Sequence, residues 1–279
     1  MGKKAGKKIL TILSEYGYWG EELLGPLEMF DAAGYAVDFA TPKGKRPVAL
    51  PPSMDAKYFD PPLGRSVTSE EVAAKVRALE KSPRLGKPLN ISALMPERPY
   101  VCLPTYLRDL ELYNKARDKA RTGWLAKYDA LLIVGGSGPI VDLANNQRVH
   151  DIVLSFVHED KPVGAECYGV TCLAFARDWE NRKSIIWGKH VTGHCKEYDY
   201  KDGTGFMGTD LNMGPPPYPL EYILRDATGP DGAYIGNFGR EVSVIVDYPF
   251  VTGRSNNDSY PTGQKMVEVL DKGLRRYGW

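Results

Sequence analysis

Histidine is scarce in this chain. Its 279 residues include only His150, His158, His190 and His194, so any imidazole in a reaction must be one of these four. Cysteine is equally sparse, limited to Cys102, Cys167, Cys172 and Cys195. Their spacing is not that of a C-x-x-C redox pair or a zinc knuckle, so reduced thiols in a cytoplasmic protein are the simplest reading, and no metal is expected. No apolar run reaches the roughly 18 residues of a membrane span, so none is expected. The N-terminus lacks an apolar core and small-residue cleavage site after its lysines, which argues against secretion. An excess of one charge is also missing. Lys and Arg number 36 against 35 Asp and Glu, a formal net charge of +1, so nucleic acid is not expected as the main partner. Lys3, Lys4, Lys7 and Lys8 read as a frayed, solvated basic end.

What is present has the composition of a soluble globular protein of enzyme size: 43% hydrophobic and 25% charged residues, enough for one large domain or a domain with an insertion. Residues 8–14 read as a buried strand. Leu23, Leu27 and Phe30 recur at helical spacing, and Tyr35–Ala40 alternates as a second strand. Strand, helix, strand implies an α/β fold with a mostly parallel sheet sandwiched by helices. Residues 42–65 are rich in Pro and Gly, with Leu50–Asp55 expected near the site. Helices are expected over Ser66–Leu79 and over residues 106–122. The stretch from about 45 to 124 reads as an inserted cap or second layer within a single domain spanning 1–279, because its Leu, Met, Tyr and Trp residues need burial. The main rhythm resumes with a strand at Lys127–Val134 and a helix over Val141–Glu159. A strand at Pro162–Ala165 follows, then a helix over Thr171–Ala176. A short strand at His190–Thr192 precedes a short helix over Tyr218–Leu224. Late strands are expected at Ala233–Ile235 and Val242–Val246, a turn at Thr252–Ser255 and a last helix over Pro261–Tyr277.

Residues 162–175 organise the rest. Cys167 stands between a buried strand and an apolar helix start, with Gly169 two residues on, the pattern of a nucleophile elbow. A helix start beneath a thiol favours the thiolate. Cys172, inside the helix, reads as a small buried hydrophobe. The strip Gly135, Gly136, Ser137 and Gly138 ends a neighbouring strand. It can present backbone N–H groups to an oxyanion together with the N–H of Tyr168. No Gly-Lys-Ser/Thr follows it, and it does not open the first strand–helix–strand unit, so neither a phosphate loop nor a dinucleotide site is expected, and no cofactor is implied.

Glu22 follows the first strand on its C-terminal side, where α/β sheets place ligands. Pointing at Cys167, it would act as a general acid and base with its acidity weakened by burial. Glu166 reads as satisfying neighbouring polar groups. His194 leaves a strand next to Gly193 and is the best imidazole candidate. His150 and His158 lie in a helix away from the elbow. Trp19 and Tyr18, with Tyr168, are candidates for a pocket wall.

These residues resemble the DJ-1/PfpI superfamily, of flavodoxin-like, class I glutamine-amidotransferase-like fold. The resemblance rests on Glu21-Glu22-Leu23-Leu24-Gly25-Pro26, on Ala40–Gly44 with Leu50–Ser53, on Leu132–Gly138 and on Cys167-Tyr168-Gly169. The insertion after the second strand is similar to that of the Hsp31-like branch. The resemblance implies Cys167 as nucleophile, Glu22 as its proton-transfer partner, Gly135–Gly138 and Tyr168 as the oxyanion region, and His194 as a third site residue. It also implies a homodimer. One departure stands out: the family commonly has His directly after the nucleophile, where this chain has Tyr168. The activity implied is cysteine-dependent chemistry on a small electrophile, most simply a glutathione-independent glyoxalase converting methylglyoxal to lactate, or a related deglycase. A small-molecule hydratase or amide hydrolase would use the same Cys/Glu pair. A non-catalytic chaperone or oxidative-stress sensor is the alternative of another class.

Overall fold

In the computed structural model the described residues are 6–60, 63–198, 200–201, 205–206 and 219–279. The frame is one eight-stranded sheet. Its strands in chain order are β1 (Lys8–Ile12), β2 (Ala36–Thr41), β3 (Leu89–Asn90), β4 (Ala130–Ile133), β5 (Val163–Glu166), β6 (Val244–Asp247), β7 (Phe250–Gly253) and β8 (Arg276–Tyr277). In space they run β8-β6-β7-β5-β4-β1-β2-β3. The pairs from β7 to β3 are all parallel, and only β6 runs antiparallel, to both β7 and β8.

The chain leaves β1 for β2 on one side, then returns to lay β4 on the other. This reversal opens a crevice at the C-terminal ends of β1, β4 and β5, where open α/β sheets bind ligands. Alternation along the strands divides the core between two faces. Leu10, Ile12, Leu131 and Ile133 pack with Val149, Ile152, Val153 and Phe156. Ile9, Ala130, Leu132 and Val251 pack with Leu23, Leu27, Phe30 and Met266. The helices supplying those partners are α1 (Gly20–Ala32) and, farther on, α4 (Gln147–His158) and α6 (Ser259–Lys272). Their burial is the main favourable contribution to folding, about 25 cal/mol for each Å² of apolar surface removed from water.

The stretch 45–124 contributes directly to this frame. It holds α2 (Glu70–Lys81) and α3 (Tyr106–Thr122), and supplies β3 at the sheet edge. Leu85 and Val76 enter one core face, Ile91 and Met95 the other. Ser69 caps α2 by accepting the Val72 N–H, satisfying a donor that a helix start leaves free.

Several local expectations are corrected. The helix expected over Val141–Glu159 is two, Gly138–Asp142 and α4, because Asn146 caps a fresh start by accepting the Arg148 N–H. Thr252–Ser255 is not a turn: Thr252 and Gly253 complete β7, deep in the sheet. The buried Thr252 hydroxyl accepts the Thr192 N–H at 2.9 Å, which makes a polar residue acceptable there. His190–Val191 is a strand, but it pairs with Ala233–Tyr234 outside the main sheet. The helix over Leu220–Thr228, α5 in chain order, falls where one was expected, although Tyr218 lies outside the described residues. The last helix ends at Lys272, stopped by Gly273 in the left-handed region, and the chain then forms β8. Lys7 and Lys8 are not frayed. They pair with Asp129 and Asp38, and Lys8 opens β1; Lys3 and Lys4 lie outside the described residues. Among the described residues no helix is long and apolar enough to cross a membrane.

Candidate functional site

The end of β5 carries the site. Cys167 follows Glu166 directly and has φ +51°, the left-handed region that an L residue with a side chain enters at a cost. The strand turns there into a 3₁₀ turn over Cys167–Val170 and a short helix over Thr171–Phe175. A nucleophile elbow has this geometry. The side chain is 5% exposed. The N–H groups of Gly136 and Tyr168 are directed at the sulfur and favour its anion. Burial outweighs them and, with the charge of Glu22, pushes the thiol well above its ordinary range.

Three further segments meet the thiol. His194 comes from the loop after the His190–Val191 strand, and its Nδ1 lies 3.3 Å from the Cys167 sulfur. Its ring stacks on Tyr168, centroids 4.3 Å apart and planes 25° apart. The edge of Tyr198 meets it at 5.5 Å. Tyr168, the residue after Cys167, is thus a platform for a histidine from elsewhere in the chain.

Glu22 comes from the first turn of α1 and is 2% exposed. The turn is set by Ser53, whose hydroxyl accepts the Gly20 N–H at 2.9 Å and donates to Leu50 O. The expectation that Leu50–Asp55 packs near the site therefore holds. The Glu22 carboxyl lies against the Cys167 thiol and the Gly136 N–H, and its Oε2 has no hydrogen-bond partner. Burial raises its pKa to about 8, with Cys167 and the Gly136 N–H acting the other way and the charges of Glu21 and Asp258 adding to it. The carboxyl is therefore a neutral acid at pH 7.

The glycine strip after β4 closes the fourth side. A Cβ on Gly135 would overlap Glu22 Oε2 and the Glu166 carbonyl and come 2.6 Å from Cys167 Cβ, so only glycine lets acid and thiol meet there. Gly136 has φ +88°, which turns its N–H toward the sulfur side. Gly138 instead backs tightly onto Gly17 O, a packing position. Ser137 starts the Gly138–Asp142 helix without a side-chain cap bond. Trp19 is partly exposed, its Nε1 buried without a hydrogen-bond partner, and its N–H donates to Gly135 O. Tyr18 differs from the expected wall: it is fully buried in the core, with its hydroxyl donating to Glu80 on α2.

The remaining histidines stand apart. His150 Nε2 meets Ala144 O at 2.7 Å, and His158 stacks on Trp179. His190 stacks on Trp279 and faces Asp247. Cys172 is buried, as its helix position suggests.

Sequence reasoning missed what lies beneath. Glu166 is fully buried and both its carboxyl oxygens lack a hydrogen-bond partner, so it does not satisfy its neighbours as expected. Ser259 is near, but its hydroxyl donates to Asn256 O at 2.7 Å. Burial and the charge of Glu22 drive Glu166 well above the carboxylate range. Glu21 is raised to about 7, chiefly by burial. Asp258 contacts Arg254 at 3.3 Å, and both are buried. Only the consecutive Glu21-Glu22 hinted at this cluster. Nothing local marks Arg254 or Asp258, which fold in from beyond β7. Among the described residues no group of three or more His, Cys, Asp or Glu side chains could hold a metal ion.

A buried thiol touching an imidazole, a neutral carboxyl and two N–H groups can attack an electrophilic carbon, stabilise an oxyanion and move protons. Comparison with known proteins gives the site its context. Among curated proteins, glutamine amidotransferase-like class 1 domain-containing protein 1 of Bos taurus is 29% identical over 142 residues, 51% of this chain and 59% of its own length. The Xenopus laevis protein of that name is 28% identical over 155 residues, 55% and 61%. The matched stretch thus spans about three-fifths of these relatives. Among solved structures, glyoxalase III from Candida albicans aligns with a TM-score of 0.67 at 16% identity, covering 95% of this chain and 98% of that one. The Francisella tularensis Rapid Encystment Protein 24 KDa aligns with a TM-score of 0.64 at 18% identity, covering 95% and 99%. At such identities the structures share the fold, which does not carry a reaction with it. Residues 13–193, from the end of β1 through the elbow to the residue before His194, match the family described as ThiJ/PfpI family-like, and the chain belongs to that family.

Proposed function

We propose that this protein is a cysteine-dependent enzyme acting on a small electrophile, most simply a 2-oxoaldehyde converted to a 2-hydroxy acid without glutathione. One observation carries the reading: the Cys167 sulfur is held in a left-handed turn, 3.3 Å from His194 Nδ1 and beside the Glu22 carboxyl. His194 takes the thiol proton. The sulfur attacks the aldehyde carbon, and the carbonyl electron pair moves to oxygen, near the Gly136 and Tyr168 N–H groups. Glu22, neutral at pH 7, protonates that oxygen. As a carboxylate it then takes the proton from C1 and delivers it to C2, while the hydroxyl proton on the C1 oxygen passes to the C2 oxygen. C1 is thereby oxidised to a thioester while C2 is reduced to an alcohol, with no outside oxidant. Water cleaves the thioester, the carboxylic acid leaves, and the thiol regains its proton.

The stretch 45–124 between β2 and β4 supports placing the chain in the Hsp31-like branch as one domain with an inserted layer. A cytoplasmic homodimer accompanies that placement. A second reading, hydrolysis of a small amide, is favoured by the Cys167–His194 contact, the pair that acyl transfer requires. The name of the curated relatives points the same way.

The test is a product-resolved assay with methylglyoxal and a panel of small amides and isonitriles, run beside Cys167→Ala and Glu22→Ala. Lactate formed without glutathione, and lost in both variants, is the expected result. Turnover of an amide or isonitrile alone selects the hydrolase or hydratase. A thiol that oxidises or alkylates while nothing turns over sinks both and favours a sensor or chaperone.

A further inference from the structure

Phe238 is a large apolar side chain left 55% exposed on a loop that is firmly tied down. The tie is Arg254, itself 1% exposed. Its Nη1 donates to Asn237 O, and its Nη2 donates to Arg240 O at 3.0 Å and Glu241 O at 3.3 Å. Asp258 balances the guanidinium and accepts the N–H groups of Ser243 and Ser255, one at each foot of the arrangement. Asn237 sits at φ +51° and donates Nδ2 to Ser243 Oγ at 3.0 Å. A buried ion pair and a strained non-glycine residue are both costly. Here they hold a short loop whose apolar residue faces outward.

That residue is joined to the thiol by a row of rings. Phe238 lies 5.8 Å from Tyr198, and Tyr198 meets His194, the neighbour of Cys167, at 5.5 Å. The Arg254 guanidinium lies 5.8 Å from the same Tyr198 ring, so one clamp sets both aromatics. We infer that Phe238, with Tyr198, is a specificity-determining wall of the Cys167 site, selecting electrophiles whose flat apolar substituent sits several bonds from the reacting carbon. The inference rests on the reading of Cys167 as the reactive thiol.

The experiment compares N-(2-phenylethyl)iodoacetamide with N-methyliodoacetamide, which share a reacting group. Saturation rates of Cys167 alkylation are read by peptide mass in a Cys102→Ser background, because Cys102 is exposed. The phenylethyl reagent is expected to be favoured about tenfold, the scale of one aromatic contact. That preference falls to near unity in Phe238→Ala and returns in Phe238→Trp. Phe238 is exposed, so these variants keep the fold, which circular dichroism checks. Equal preference in the parent and Phe238→Ala overturns the inference, and so does an unreactive Cys167. Failure of the glyoxalase reading is separate, since it is scored by lactate and leaves the alkylation preference intact.

Discussion

Cys167 and His194 lie 27 residues apart in the chain, yet His194 Nδ1 comes within 3.3 Å of the Cys167 sulfur. The imidazole is braced from one side by Tyr168, the residue next to that cysteine. The thiol and imidazole are thus paired through space rather than along the backbone, with Tyr168 as an aromatic shelf under the ring.

Removing the imidazole or its shelf therefore has different consequences. His194→Ala is expected to slow Cys167 alkylation at neutral pH by about 10²-fold, the scale of a lost general base. Tyr168→Ala costs less, and Tyr168→Phe, which keeps the ring stack, stays closest to the parent. Iodoacetamide kinetics with site-resolved mass spectrometry read all three. A Tyr168→Phe rate as low as that of His194→Ala would show that the shelf is not the operative feature.

Glu22 makes stability depend on pH in a definite direction. Its folded pKa, about 8, lies above that of an unfolded carboxylate, about 4.3, because burial disfavours the anion. Between those values the unfolded chain releases the proton and the folded chain keeps it. Stability is therefore lost as pH rises from about 4 to about 8, and the loss is constant above that. Glu22→Gln removes this loss. Urea unfolding should find the variant little changed relative to the parent near pH 4, with an advantage that grows to on the order of a few kcal/mol by pH 8. A pH-independent difference would mean that Glu22 is ionised in the folded protein.

Gly135→Ala tests the close approach of acid and thiol. The added Cβ overlaps the Glu22 carboxyl and the Glu166 carbonyl, both of which are packed from behind. An overpacking cost of about 1–3 kcal/mol is expected in denaturant unfolding, together with a change in Cys167 reactivity. Gly34→Ser, at an exposed left-handed position (φ +74°) where a Cβ meets nothing, is a control that costs some stability through backbone strain but leaves reactivity unchanged. Equal reactivity in the Gly135→Ala variant would show that the two groups need not meet.

How much of this was legible in the sequence varied with the range of the interaction. The elbow was readable because its parts are contiguous: an apolar strand, Cys167, a small residue and a helix start. Glu22 and the Gly135–Gly138 strip were readable because each directly follows a strongly patterned strand. The edge strand β3 was not, since two residues carry no periodicity. β7 was hidden because Phe250–Gly253 ends in Thr-Gly, a turn signal, and the Thr252 hydroxyl accepts the N–H of Thr192, sixty residues earlier.

The sequence by itself determined the strand–helix alternation, the α/β class and the sharp turn at Cys167, because hydrophobic period and glycine placement act over a few residues. Tertiary structure alone decided that His194, the imidazole candidate the sequence singles out, reaches the thiol, that Tyr168 supports it, that Tyr18 belongs to the core and that Arg254 and Asp258 clamp the loop of Phe238. Those outcomes depend on strand order and on burial among groups far apart in the chain. The physical reason lies in the crevice where the sheet reverses direction: it collects the ends of β1, β4 and β5, and the proton on Glu22 is set by that enclosure rather than by any neighbour in sequence.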